Sequence, residues 1–92
     1  PPIYLATTYA QTYPGKPISH YEYSRSNNPT RELLQTTLAN LEQGQFGLCF
    51  SSGCAAFTTL LHALPTGSHV LVSDDIYGGS LRLLAKVYQT HG

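Results

Sequence analysis

Four groups of residues in this chain have types and spacings that could do chemistry. The first is Ser51-Ser52-Gly53-Cys54. It breaks a short apolar run, Phe46 to Phe50, and precedes a stretch in which Phe57, Leu60, Leu61 and Leu64 recur at helical spacing. The first amides of a helix have no partner inside it, and the helix dipole places partial positive charge there. Gly53 lets the backbone approach closely, and Ser51 and Ser52 carry hydroxyl groups. A phosphate or carboxylate suits such a turn, although ordinary strand-to-helix turns also use Ser and Gly. The second group is Tyr23 and Arg25, two residues apart, which share a face if the segment is extended. A phenol and a guanidinium side by side can hold a phosphate; a solvated Arg beside a packing Tyr is the plainer alternative. The third is Tyr77, followed by Gly78 and Gly79. Its ring could lie against a planar ligand or fill a crevice. The fourth is Arg82, near the start of a helical pattern, where a cation opposes the helix dipole unless an anion is near.

Other chemistries find no support. Ser51 and Ser52 lack the Gly-x-Ser-x-Gly elbow of serine hydrolases. His20, His62, His69 and His91 are scattered without metal-ligand spacing, and His62 reads as a packing residue of its helix. Asp74 and Asp75 are adjacent and would point apart at a strand end, so they read as turn and cap residues. Cys49 and Cys54 make no disulfide framework; buried thiols in a reducing compartment are the expectation.

The elements that position these groups follow from periodicity. Pro1 to Tyr13 is rich in Thr and Tyr and suits an extended arm, closed by a loop at Pro14-Gly15-Lys16-Pro17. Asn28 is a good N-cap and Pro29 suits the first helical position. Leu34, Leu38 and Leu41, with Leu33 beside them, give the helix an apolar face, and Gly44 is the expected stop. Phe46 to Phe50 reads as a buried strand and the residues after Gly53 as a second helix. Leu64 to Ser68 turns the chain into another short buried strand, His69 to Ser73. Leu81, Leu84 and Val87 begin a third helical pattern. Arm, helix, strand, helix, strand, helix predicts an α/β sheet with helices packed on it. Ligands in such folds sit outside the carboxyl ends of strands, where both Ser51–Cys54 and Asp74–Gly79 fall.

Composition bounds the rest. Ninety-two residues make at most one small domain. Only 11% of the residues are charged, against about 25% in typical soluble chains. With seven Tyr and three Phe, this predicts that much of the surface is covered by more polypeptide, by a partner, or by both. The chain reads as a piece of something longer. Zero net charge gives no electrostatic footprint for nucleic acid or an acidic membrane. No apolar run approaches the roughly 20 residues of a bilayer span, and no signal segment opens the chain.

Three motifs stand in fixed order: Tyr23-Ser24-Arg25-Ser26-Asn27-Asn28-Pro29-Thr30, Ser51-Ser52-Gly53-Cys54-Ala55-Ala56 and Asp74-Asp75-Ile76-Tyr77-Gly78-Gly79. Together with Pro2 to Tyr9 they closely resemble the Cys/Met-metabolism family of pyridoxal-phosphate enzymes. That family includes cystathionine γ-lyase, cystathionine γ-synthase, cystathionine β-lyase and methionine γ-lyase. The resemblance covers nearly all of this chain but only the first quarter or so of a family member. It implies a fragment of a fold-type I, aspartate aminotransferase-like α/β fold. Residues 1–29 would form an arm contacting a neighbouring subunit, and residues 30–92 would begin the cofactor-binding domain. It implies pyridoxal 5'-phosphate as cofactor and a homo-oligomer, a dimer of dimers, in the cytoplasm.

The resemblance also implies roles. Tyr23 and Arg25 match the pair that reaches into a neighbouring subunit's site and grips the cofactor phosphate, with Tyr23 also facing substrate. Ser52, Gly53 and Cys54 match the phosphate-holding helix start, the last two through backbone amides. Tyr77 matches the ring that stacks on the pyridine and aids proton transfer. Arg82 matches a basic residue facing bound substrate. The departures are Cys54 in place of Met or Leu, Asn27 in place of a frequent Gly, and Ser80 in place of Thr. Gly79 lacks the cysteine that marks methionine γ-lyases, which favours the cystathionine enzymes, γ-lyase first. The chemistry needs a lysine for the Schiff base and an acid opposite the pyridine nitrogen. Only Lys16 and Lys86 are present, and neither has the family lysine's Ser/Thr-rich setting. The piece alone is therefore expected to be inactive and to bind the cofactor poorly. A non-catalytic interaction module, docking through its arm and aromatic surface, is the reading from another class.

Overall fold

The structure is a computed structural model and describes residues 1–91. Gly92, and the side chain of His91, lie outside the described residues. The chain forms two compact units, residues 1–49 and 50–92.

In the first unit, β1 (Gln11–Tyr13) and β2 (Lys16–Pro17) form an antiparallel hairpin. Its tip is the expected Pro14-Gly15 loop, with Gly15 at φ +82°, a conformation that glycine adopts without a Cβ penalty. The rest of the arm is tied down. An isolated bridge joins Thr8 to Tyr23, and the Ser24 amide donates to the Thr7 carbonyl at 2.9 Å. The Tyr4 amide donates to Thr30 Oγ1 at 2.9 Å.

Helix α1 (Pro29–Leu41) begins where the sequence places it. Asn28 is the cap: its Oδ1 accepts from the amides of Thr30 at 2.9 Å and Arg31 at 3.1 Å. Its Nδ2 donates to the Tyr9 hydroxyl at 3.0 Å and the Tyr4 carbonyl at 3.3 Å. One side chain thus satisfies helix donors and holds the arm. The stop differs from expectation. Gln43, not Gly44, takes the left-handed conformation, at φ +56°. The Gly44 amide then reaches back to Ala39 O at 2.8 Å and the Gln43 amide to Asn40 O at 3.3 Å. This is the paired closure that follows a left-handed residue at a helix end. Glycine serves here as the residue after the bend.

The expected strand at Phe46–Phe50 enters no ladder. Part of it lies along α1 instead. The Cys49 amide donates to Gln35 Oε1 at 3.1 Å, and the Gly47 α-carbon sits so near the Gln35 carbonyl that a Cβ would overlap its oxygen. The second expected strand, His69–Ser73, is also without a ladder. Strands of a parallel sheet take their hydrogen bonds from neighbours on both sides, and the described residues provide none for either segment. Their apolar side chains are accordingly uncovered: Phe46 is 88% and Leu71 92% exposed.

The second unit holds α2 (Gly53–His62) and a helical segment made of α3 (Gly78–Leu83), a π-helical turn (Leu84–Tyr88) and α4 (Gln89–His91). The last helix starts at Gly78, three residues before the Leu81 expected to open its pattern. Helices α2 and α3 pack together. Across the π turn the Tyr88 hydroxyl donates to the Thr58 carbonyl at 3.3 Å, and the His62 and Tyr88 rings meet edge-on at 5.9 Å. His62 is exposed rather than packed.

Among the described residues, full burial is confined to Ala39 in the first unit and Leu61 in the second. The apolar face of α1 (Leu33, Leu34, Leu38, Leu41) is open. The low charge of the sequence has its structural counterpart here: these faces are not covered by the chain itself. Among the described residues no helix is long and apolar enough to cross a membrane.

Candidate functional site

At the start of α2, Ser52 is the N-cap, with extended backbone at φ −158° and ψ 161°. Its Oγ accepts from the Ala55 amide at 3.1 Å, and its carbonyl accepts from the Ala56 amide at 3.1 Å. Those bonds satisfy the third and fourth amides of the turn. Among the described residues the amides of Gly53 and Cys54 have no acceptor. Both residues are exposed. The Ser52 hydroxyl proton remains free to donate, since the cap uses only its lone pair. A Cβ built on Gly53 would meet nothing within 4 Å, so the approach is open. Two amides and a hydroxyl, together with the dipole, fit an anionic oxygen group. At Cys54 it is the backbone amide, not the side chain, that the helix start leaves without an acceptor among the described residues.

Tyr77 immediately precedes α3 and makes no side-chain cap bond. Its ring is 72% exposed. One edge lies over Gly79: a Cβ at that position would overlap Tyr77 Cε1 and sit 3.1 Å from Cζ. The bare α-carbon of Gly79 therefore seats the ring, while the rest of it faces outward. Arg82, within α3, is exposed, with a guanidinium nitrogen 3.8 Å from the position a Gly78 Cβ would take. Among the described residues it has no hydrogen-bonded or ionic partner.

Tyr23 and Arg25 come together, by a route the sequence does not predict. The segment is not extended beyond Tyr23. Its carbonyl accepts from the amides of Ser26 and Asn27, both at 3.0 Å, and the chain turns. The Arg25 guanidinium folds back over the Tyr23 ring, with Cζ 4.8 Å from the ring centroid, a cation–π distance. A residue passed over in the sequence, Arg31, reaches under this turn and donates to its carbonyls. The clue was available: an Arg three residues after a capping Asn can reach back toward the preceding loop.

Beside the turn is a cluster of His20, Tyr21 and Glu32. Glu32 Oε2 accepts from the Tyr21 hydroxyl and lies 2.9 Å from His20 Nε2. The Tyr21 ring also meets His20 at 4.0 Å and Tyr9 at 5.5 Å. The bond to the Glu32 carboxylate pushes the Tyr21 phenol from 10.0 up to about 12. The same bond, with that from His20, holds the Glu32 carboxyl below its usual value. Tyr21 favours its neutral form in the fold, so its contribution is complete below pH 10 and is lost as pH rises through about 12. Glu32 favours its charged form, so its contribution is present above the ordinary carboxyl range and is lost as pH falls through its lowered value. In spectrophotometric titration of the full-length protein, Glu32→Gln should move the late titration of Tyr21 down toward 10.

The family model of Cys/Met metabolism PLP-dependent enzymes matches residues 1–92. Cystathionine gamma-lyase of Saccharomyces cerevisiae is 52% identical over 91 residues, covering 99% of this chain and 23% of that protein. Its crystal structure superimposes with a TM-score of 0.87 at 51% identity, over 100% of this chain and 23% of the solved one. Cystathionine beta-lyase of Coxiella burnetii is 55% identical over 86 residues, 94% of this chain and 22% of that protein. A probable cystathionine gamma-synthase of Herpetosiphon aurantiacus is 50% identical over 91 residues, 99% of this chain and 28% of that protein. The chain thus spans about a quarter of the length of these relatives. Likeness of fold to a solved enzyme over the whole length of this chain also identifies it as part of a fold-type I α/β architecture. The open amides before α2, the seated ring of Tyr77 and the match along every residue lead to one assignment: this chain belongs to the Cys/Met metabolism PLP-dependent enzyme family.

Proposed function

We propose that the whole protein is a cystathionine γ-lyase of the transsulfuration type, cleaving the bond between Cγ and sulfur with release of cysteine. The observation that carries the reading is the pair of unpartnered amides, Gly53 and Cys54, at an open helix start. In this reading they and the Ser52 hydroxyl hold the phosphate of pyridoxal 5'-phosphate. Tyr77 would offer its ring face to the planar cofactor, and its Oη would be the group that holds or moves a proton there. Tyr23 and Arg25 grip a phosphate in a neighbouring subunit, with Tyr23 also facing substrate, and Arg82 meets a substrate carboxylate. When bound, the pyridine ring withdraws the electrons left on the substrate's Cα and Cβ.

Residues 1–29 act as the arm against the neighbouring subunit and residues 30–92 as the opening of the cofactor domain. The reading extends to a homotetramer, as the resemblance to the family implies. Cys49 is half-buried and Cys54 exposed, not buried as the sequence suggests; a reducing, cytoplasmic setting stays part of the proposal. The γ-lyase reading is supported by the likeness to the yeast enzyme, while glycine at position 79 favours the cystathionine enzymes as a group over methionine γ-lyases.

Incubating the full-length, cofactor-loaded protein with cystathionine tests this. Cysteine with 2-oxobutanoate is the expected product pair. Homocysteine with pyruvate would instead assign a β-lyase. Failure to take up pyridoxal 5'-phosphate at all would end the reading.

A further inference from the structure

We infer that Arg31 is a positioning residue that pre-sets Tyr23 and Arg25 for their phosphate by locking the Ser24–Ser26 turn from beneath. Its backbone is fixed by the helix: the Arg31 amide donates to Asn28 Oδ1 at 3.1 Å. Its side chain then runs back to the turn. Nη1 donates to the Ser24 carbonyl at 3.0 Å, and Nη2 to the carbonyls of Ser26 at 2.7 Å and Arg25 at 3.4 Å. Three successive carbonyls thus converge on one planar cation. Among the described residues that cation meets no carboxylate. Its electrostatic partner is the backbone of the turn alone.

The consequence falls on Arg25. With the carbonyls of Ser24, Arg25 and Ser26 drawn to Arg31, the turn between Tyr23 and Asn27 is held from one side. That turn is already closed by the Tyr23 carbonyl and held to the arm by the Ser24 amide. The Arg25 side chain leaves it over the Tyr23 ring. Holding two binding groups in place before the ligand arrives removes part of the ordering cost of binding. A planar fork reaches separate carbonyls from separate nitrogens, whereas a lysine ammonium offers one centre. Lysine should therefore keep part of the function.

The inference rests on the reading that Tyr23 and Arg25 hold the cofactor phosphate, and the test separates the two. The full-length apoenzyme is titrated with pyridoxal 5'-phosphate, and its dissociation constant is measured for Arg25→Met, Arg31→Met, Arg31→Lys and the double methionine variant. Arg31→Met should weaken binding by about tenfold, and Arg31→Lys by about threefold. The double variant should lose clearly less than the product of the two single losses, because Arg31 acts in part through Arg25. A merely stabilising residue would lower the thermal midpoint and add its loss in full to that of Arg25→Met; such additivity overturns the inference. Unchanged affinity in Arg31→Met with weakened binding in Arg25→Met also overturns it and leaves the phosphate reading standing. Unchanged affinity in Arg25→Met sinks both. If Arg31→Met fails to fold, Arg31→Lys decides through a further double variant, Arg31→Lys with Arg25→Met, in which the loss due to lysine must be smaller than in the parent background.

Discussion

Tyr77→Phe in the full-length enzyme should lower kcat by about 100-fold while leaving cofactor affinity within about threefold. The two effects separate because the structure separates the two uses of the side chain. The ring is held by its place over Gly79, and phenylalanine retains that place and the flat face. The hydroxyl makes no hydrogen bond among the described residues, so its removal breaks no bond there and deletes the group that would move a proton. Tyr77→Leu removes the ring as well and should add a loss of roughly tenfold in cofactor affinity, the scale of a stacked aromatic pair. Steady-state kinetics and equilibrium titration of the same preparations check this. A Tyr77→Phe enzyme with full kcat would show that the hydroxyl has no part in the reaction. A Tyr77→Leu enzyme with unchanged affinity would remove the stacking role. Gly79→Ala offers a milder version of the same perturbation, since its methyl group would push the ring off its seat.

The contrast between α1 and the two missing strands shows what local sequence can carry. Asn28-Pro29 and the leucine spacing specify α1 from within, because capping and i to i+4 contacts are neighbours in the chain. Ser52 capping α2 is legible for the same reason. Phe46–Phe50 and His69–Ser73 have strand composition, yet a strand is completed only by neighbours, and these lie outside the described residues. The composition speaks for the sheet of the whole family fold; the local backbone reports what this length of chain can bond. The Tyr23–Arg25 pair was legible as a pair but not in its geometry. Residue spacing assumes an extended backbone, and the turn at Ser24–Ser26 depends on Arg31, which belongs to the next element. The left-handed Gln43 was illegible by rule, because glycine is the usual occupant and stands one residue later.

The second large effect separates binding from folding at Gly53. Gly53→Asp should weaken pyridoxal 5'-phosphate binding on the order of 100-fold to 1,000-fold without lowering the thermal midpoint. No atom blocks the new side chain, since a Cβ there meets nothing within 4 Å, and Gly53 is not among the residues with positive φ. An acid in the first helical turn is itself favourable, by about 0.3–1 kcal/mol, and replacing glycine reduces the entropy of the unfolded chain. The fold therefore gains. The anion site loses, because a carboxylate now stands where a phosphate must come. Two like charges about 4 Å apart repel by roughly 4 kcal/mol at an effective dielectric of about 20. Gly53→Asn has nearly the same size without the charge, and Gly53→Ala tests the methyl alone; both should stay within about fivefold of the parent. If Asp and Asn weaken binding equally, steric exclusion rather than charge governs the site. If Asp leaves binding unchanged, the open amides of Gly53 and Cys54 hold no phosphate, and the anchor of the proposed site must be sought elsewhere in the protein.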